Sequence, residues 1–220
     1  AEGQGGDAAE GSAADPVHRA INHPVGRVTQ ALLHLWRRAG LEDRQGLSEP
    51  YRSRFTALLA DSCPVPCHGR LVLACDLVIL FRVDPDWTTQ ALLPLFDWHD
   101  PRSEALAAWK GFLGTGRLYP PLLAALKPAF LKAADHHSEL AIYGDNYVSM
   151  LTVLALEQDD RFSVGELCLA THALDEAGLS QAARTLRQAL QSAGDQRETY
   201  FQHRIVPYFR KIWPKTREHR

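Results

Sequence analysis

Cys63, Cys67, His68 and Cys75 are the densest set of soft ligands in the chain, opening as Cys-Pro-Val-Pro-Cys-His. Zinc sites space paired ligands two to four residues apart and need a second pair. The remaining cysteine, Cys168, lies a hundred residues further on, and Cys75 falls in an apolar run where a free thiol packs as a small hydrophobe. Three residues separate Cys63 from Cys67, so the Cys-x-x-Cys redox spacing is not met. Asp135, His136, His137 and Glu139 form a second polar knot, at a predicted helix start where such residues serve as caps and solvated turns. His99-Asp100 reads the same way. His172 has no second histidine at i+4 and no metalloprotease glutamate. No glycine-rich phosphate loop is present, Gly-Gln-Gly-Gly at residues 3–6 precedes no strand, and there is no Gly-x-Ser-x-Gly elbow. The expectation is a non-enzymatic chain with no catalytic residue, no cofactor site and no metal site.

Two features point to binding instead. Between residues 197 and 220 the cations Arg197, Arg204, Arg210, Lys211, Lys215, Arg217 and Arg220 face only Glu198 and Glu218. Interleaved with Tyr200, Phe201, Tyr208 and Trp213, they fit either an amphipathic helix with a solvated face or contact with nucleic acid. Trp36, Trp87, Trp98, Trp109 and Trp213 mostly fall on apolar helix faces and read as packing residues. Trp98 sits at a predicted helix end beside polar residues, so Trp98 and Trp109 are the candidate protein-partner contacts.

Positioning these residues is a series of helix start and stop signals. Residues 1–15 carry too few large apolar groups to offset ordering entropy. The expected organisation is a disordered linker over 1–19 and one helical array over 20–220. A first helix is predicted from Pro24, with Val25, Val28, Leu32, Leu35 and Trp36 inward and Gly40 as its stop. A second follows Ser48 and carries Tyr51, Phe55, Leu58 and Leu59. Residues 70–82 are apolar nearly all round and are read as a buried helix, in which Asp76 needs a partner or a shifted pKa. Asp84-Pro85 and Asp100-Pro101 are cap-plus-proline starts, and Gly111, Gly114 and Gly116 are read as the end of the helix after Asp100. Pro120-Pro121 start a helix that Pro128 kinks, and residues 138–158 form the longest apolar-periodic stretch. Ser163-Val-Gly-Glu166 is a capping box, with Phe162 and Leu167 placed as a hydrophobic staple. Helices are then expected from Ser163 to Gly178, from Ser180 to Gly194 and from Asp195, the last bent at Pro207. The fold class is all-α, an irregular α-solenoid of stacked helical hairpins.

Composition agrees with a folded helical domain. The 220 residues include 60 Leu and Ala, and the net charge of −2 favours neither nucleic acid nor an anionic membrane. No apolar run is long enough to span a bilayer, residues 1–15 lack the basic start of a secretory signal, and four cysteines make no disulfide framework. A cytoplasmic location is expected. The first residue is Ala1 and the far end is charged, so a piece of a longer protein is expected as well.

Asn22-His-Pro-Val-Gly26, leading into Thr29-Gln-Ala-Leu-Leu33, resembles a known family, as does Leu95-Phe-Asp-Trp98 through Glu104-Ala105, Ala108-Trp-Lys-Gly-Phe-Leu113 and Leu126-Lys127. The resemblance is to the helical C-terminal region of large bacterial antiphage defence proteins that often carry an N-terminal sirtuin-like NAD-binding domain. It implies a sensor or scaffold segment that binds a protein partner, or a neighbouring domain of the same polypeptide, along a concave face. No sirtuin feature appears in the chain, so no catalytic residue carries over. The alternative is a stand-alone helical protein that binds metal through Cys63, Cys67 and His68, or binds nucleic acid.

Overall fold

A computed structural model describes residues 15–60, 67–98, 102–115, 117–158 and 160–215. Among them every regular element is helical, which establishes the all-α class. Contacts divide the chain into two compact units, Ala1–Arg117 and Leu118–Arg220.

The first unit opens with α1 (Pro16–Asn22), capped by the Asp15 carboxylate on the Val17 N–H. Residues 16–19 are therefore helical, not linker; residues 1–14 lie outside the described residues. The missed signal is Asp15-Pro16, a cap followed by proline. His23 ends α1 and caps α2 (Pro24–Arg37), its Nδ1 accepting from the Val25 N–H. The corner is tight. A Cβ on Gly26 would stand 1.8 Å from the Ala20 carbonyl oxygen, so Asn-His-Pro-Val-Gly is the chemistry of a helix-to-helix bend.

α3 (Glu49–Leu59) follows, then α4 (Cys67–Cys75) and α5 (Leu77–Val83). Residues 70–82 are thus helical, as expected, with a break at Asp76, whose carboxylate pairs with Arg37. α6 (Pro85–Trp87) is a single turn that widens into a π turn, Thr88–Leu92, and closes as a 3-10 turn, Leu93–Phe96. α7 (Arg102–Thr115) completes the unit. Its start signal at Asp100-Pro101 lies outside the described residues. Gly111 does not end this helix but lies inside it, where a Cβ would meet the Leu71 carbonyl oxygen at 3.0 Å and Cys75 Sγ at 3.4 Å. Thr115 Oγ1 donates to the Cys75 carbonyl at 2.5 Å, so 71/111 and 75/115 are in register and the two helices run in the same direction.

In the second unit α8 (Pro120–Ala125) breaks at Leu126 into α9 (Lys127–Lys132), as Pro128 requires. A 3-10 stretch, Ala133–Tyr143, is interrupted at Ala141 (φ 53°). Only from Gly144 does the apolar-periodic region become α-helix, as α10 (Gly144–Glu157). α11 (Val164–His172) stops short of the expected Gly178. α12 (Glu176–Ser192) begins instead at an Asp175 cap and runs through Gly178 and Ser180. The Asp175 carboxylate accepts from the Gly178 N–H, so the helix has already begun when Ser180 is reached. α13 (Arg197–Tyr200) passes through a π turn, Phe201–Ile205, into α14 (Val206–Lys211).

Both π turns have the same cause. Leu93 N–H bonds to Thr88 and Val206 N–H to Phe201, five residues back, and a proline follows each, Pro94 and Pro207. A proline ring clashes with the carbonyl four residues before it, and one wide turn moves that carbonyl aside.

The first unit is tied by Asp84, only 4% exposed. Its carboxylate accepts from the N–H of Leu47 and of Trp87, both at 2.9 Å, and meets Arg52 at 2.6 Å. Asp84→Ala leaves those buried donors unpaired, and we expect a loss of about 3 kcal/mol. Asp84→Asn keeps the cap and should lose less; urea unfolding followed by tryptophan fluorescence checks both. Gly26→Ala adds about 1 kcal/mol of helix propensity. At this corner the clash should outweigh it, for a net loss of about 2 kcal/mol or more in the same assay.

Candidate functional site

α2 buries a different face from the one its hydrophobicity suggests. Gly26, Thr29, Leu33 and Trp36 are inward, while Val28 is 61% and Leu35 55% exposed. Thr29 is accommodated because its hydroxyl donates to the Val25 carbonyl at 2.8 Å, leaving a methyl to pack. Val28, Ala31, Leu32 and Leu35 therefore form an i, i+3, i+4, i+7 stripe, exposed except at half-buried Leu32. About 10 Å separates its ends at 1.5 Å rise per residue. Arg27, His34 and Arg38 stand exposed beside it, and α2 holds no acidic residue.

The two tryptophans singled out from the sequence separate. Trp109 is fully buried and is a core residue, its indole N–H donating to the Phe96 carbonyl at 3.0 Å. It meets Phe96 and Phe112 edge-on, with centroids 5.2 and 6.0 Å away. It is withdrawn as a contact residue, because a side chain without accessible surface offers none. Trp98 is half-buried and stacks parallel on Trp109 at 6.2 Å. The aromatic set Phe96, Trp109 and Phe112 is thus explained by core packing.

Of the thiol cluster, Cys63 lies outside the described residues. Cys67 is exposed, and His68 stacks on His23 with centroids 4.0 Å apart. Burial pushes the Cys75 thiol up to about 11, so it sits protonated against α7. No group of three or more His, Cys, Asp or Glu is placed to hold a metal among the described residues. In the basic C-terminal region Ile205, Tyr208 and Ile212 are core. Arg204 is spent on the Leu156 and Glu157 carbonyls at the end of α10. Phe209 packs on Trp213 at 5.3 Å and is 42% exposed.

The polar knots are structural ties. Asp135 pairs with Lys132, and His136 with Glu139. His137, 8% exposed, places Nδ1 3.0 Å from the Ala134 carbonyl and Nε2 2.9 Å from Asp175 Oδ1. Asp175 is held below the ordinary carboxylate range by the Gly178 N–H and then by His137. This clasp joins two segments 38 residues apart, and local spacing gave no sign of it. At Ser163 the capping box forms as expected, with Oγ accepting from Glu166 N–H at 3.2 Å and Glu166 accepting from Ser163 N–H at 2.8 Å. Lys127 adds itself at 2.8 Å from Glu166, donates to the Arg161 carbonyl, and lies 5.6 Å above the Phe162 ring.

Comparison with known proteins finds no matching family model, no matching curated protein and no matching solved structure.

Lys127, followed by the Ser163 backbone and hydroxyl, draws the Glu166 carboxyl from its ordinary 4.5 down to about 2. A carboxyl depressed on folding stabilises the fold fully above its unfolded value. That contribution fades as the pH falls from 4.5 toward 2. Carbon-detected NMR titration of Glu166 should find a midpoint near 2, moving upward in Lys127→Met.

Proposed function

We propose that this chain is a non-enzymatic helical sensor or scaffold segment of a multidomain bacterial antiphage defence protein, and that it binds a protein partner. The observation that carries the binding reading is the α2 stripe of Val28, Ala31, Leu32 and Leu35. Monomeric surfaces scatter their exposed aliphatics singly, whereas this spacing gathers them on one helix face. The partner it fits is an amphipathic helix with an apolar face and acidic margins, complementary to Arg27, His34 and Arg38. Trp98 is a second contact candidate, presented by the rigid Trp109 beneath it.

The defence setting is supported by the resemblance of residues 22–33 and 95–127 to such proteins. The ties at Asp84, Asp175 and Glu166 fit a holding role, because they commit the polar groups that chemistry would need.

The test is phage challenge of bacteria expressing the gene that encodes this chain, against a Val28→Asp/Leu35→Asp variant. Exposed substitutions of this kind change stability by only about 0.5 kcal/mol, so the variant should fold, as circular dichroism and melting temperature would show. Two buried charges at the centre of a docking face should weaken binding by about a hundredfold. Protection is expected to be lost with folding intact. Undiminished protection by the variant would overturn the docking face, and no protection by the unaltered gene would overturn the defence setting.

A further inference from the structure

Away from the α2 stripe, the first unit holds a cavity of about 340 Å³. It opens where α4 and α7 begin, and their common direction puts the positive ends of both helix dipoles at the same place. Arg19 reaches it from α1, His68 and Arg70 from α4, and Glu104 from α7, while Leu71 and Leu95 supply apolar wall.

The charges do not balance. Glu104 is the one carboxylate among the lining residues, and its Oε1 lies 2.5 Å from Arg70 Nε. The Arg70 side chain is only 11% exposed, and its Nη1 is buried without a hydrogen-bond partner. A guanidinium has five N–H donors, and leaving them unmet in a buried place costs free energy that a bound acceptor would recover. Arg19 makes no side-chain hydrogen bond or ion pair among the described residues. His68 feels the excess of positive charge: burial first, then His23 and Arg19, hold its imidazole below the ordinary value.

We infer that this cavity binds a small organic oxyanion, a carboxylate or a phosphate monoester. Arg19 and Arg70 hold the charged head, and the body rests against Leu71 and Leu95. The guanidinium pair selects planar or tetrahedral oxyanions over other ligands. The apolar wall selects an anion with a hydrocarbon body over a bare inorganic ion. The volume is at the small end for ligand sites, which suits a body of about one ring. Bound in this way, the anion would tie α1, α4 and α7 together and raise the melting temperature of the unit. This site is separate from the α2 stripe, and its binding can be measured without any partner protein.

The experiment is titration of the full chain with phenyl phosphate, phenylacetate and inorganic phosphate, followed by melting temperature and by the NMR shifts of the His68 ring. At least one organic probe should saturate, with Kd on the order of 1 mM for ligands of this size. Which of the two binds more tightly identifies the head group. Arg19→Met, on an exposed side chain, should fold normally and weaken binding by about tenfold or more. Arg70→Met should do the same, but it strips Glu104 of its partner, so Arg19→Met is the deciding variant where Arg70→Met fails to fold. Absence of saturable binding by either organic probe overturns the proposal, as does undiminished binding to Arg19→Met. Inorganic phosphate binding as tightly as phenyl phosphate overturns the role of the apolar wall.

Discussion

The first unit depends on how closely α4 and α7 approach each other. Gly111 has no side chain, and the Leu71 carbonyl occupies the space where one would begin. That contact lets α4 lie close against α7, whose Ala108, Trp109, Phe112 and Leu113 are buried, as is Leu71 on α4. Together with the Thr115–Cys75 hydrogen bond it shows the direction of packing. Helices joined by short loops pack antiparallel, so a parallel pair needs a long connection. Here α5, α6, the π turn and the 3-10 turn supply it, and Asp84 pins the middle of that connection to α3 and to the segment before it. The two helix starts are brought side by side as a result, and the cavity with its unbalanced arginines lies between them.

Much of this was legible where the signal is local. Asp84-Pro85, Pro24, Pro120-Pro121 and the Ser163–Glu166 box each act within a few residues, and each helix starts where it was expected. Errors arose where one local signal competed with another or with a distant partner. Gly178 reads as a helix stop, yet it lies in the first turn of α12, because the Asp175 carboxylate bonds to its N–H. His137 fills the space beside it, with Nε2 3.0 Å from where a Cβ would be. Gly111 reads the same way and is an inter-helix contact. A glycine chosen for a left-handed turn and a glycine chosen for close approach are the same letter, and only the tertiary partner distinguishes them.

The candidate site was less legible for a related reason. Periodicity finds the apolar stripe of a helix but not which edge of a wide stripe is buried. In α2 the stripe from Val25 to Trp36 is wide, and Thr29 counts as polar in any reading of composition. With its hydroxyl satisfied by Val25, Thr29 is tolerated inward, while Val28 and Leu35 face out. Trp109 departs in the opposite direction. Trp109 was attractive as a contact because large aromatics dominate interfaces, but they dominate cores for the same reason, and its indole N–H is met by Phe96.

The rotation of α2 has a cause that bears on function. The bend at His23 requires Gly26 to sit under the Ala20 carbonyl. With Gly26 inward, helical spacing carries Thr29, Leu33 and Trp36 inward with it, at i+3, i+7 and i+10. No other rotation of α2 is compatible with that corner, so the apolar residues at 28, 31, 32 and 35 stand where they do as a consequence of the bend. Nothing in the corner, however, requires those positions to be Val, Ala, Leu and Leu. Polar residues would be accepted at the exposed positions 28, 31 and 35 with less risk of aggregation. The bend explains where the stripe is but not what it is made of, and it is for that composition that the proposed partner would account.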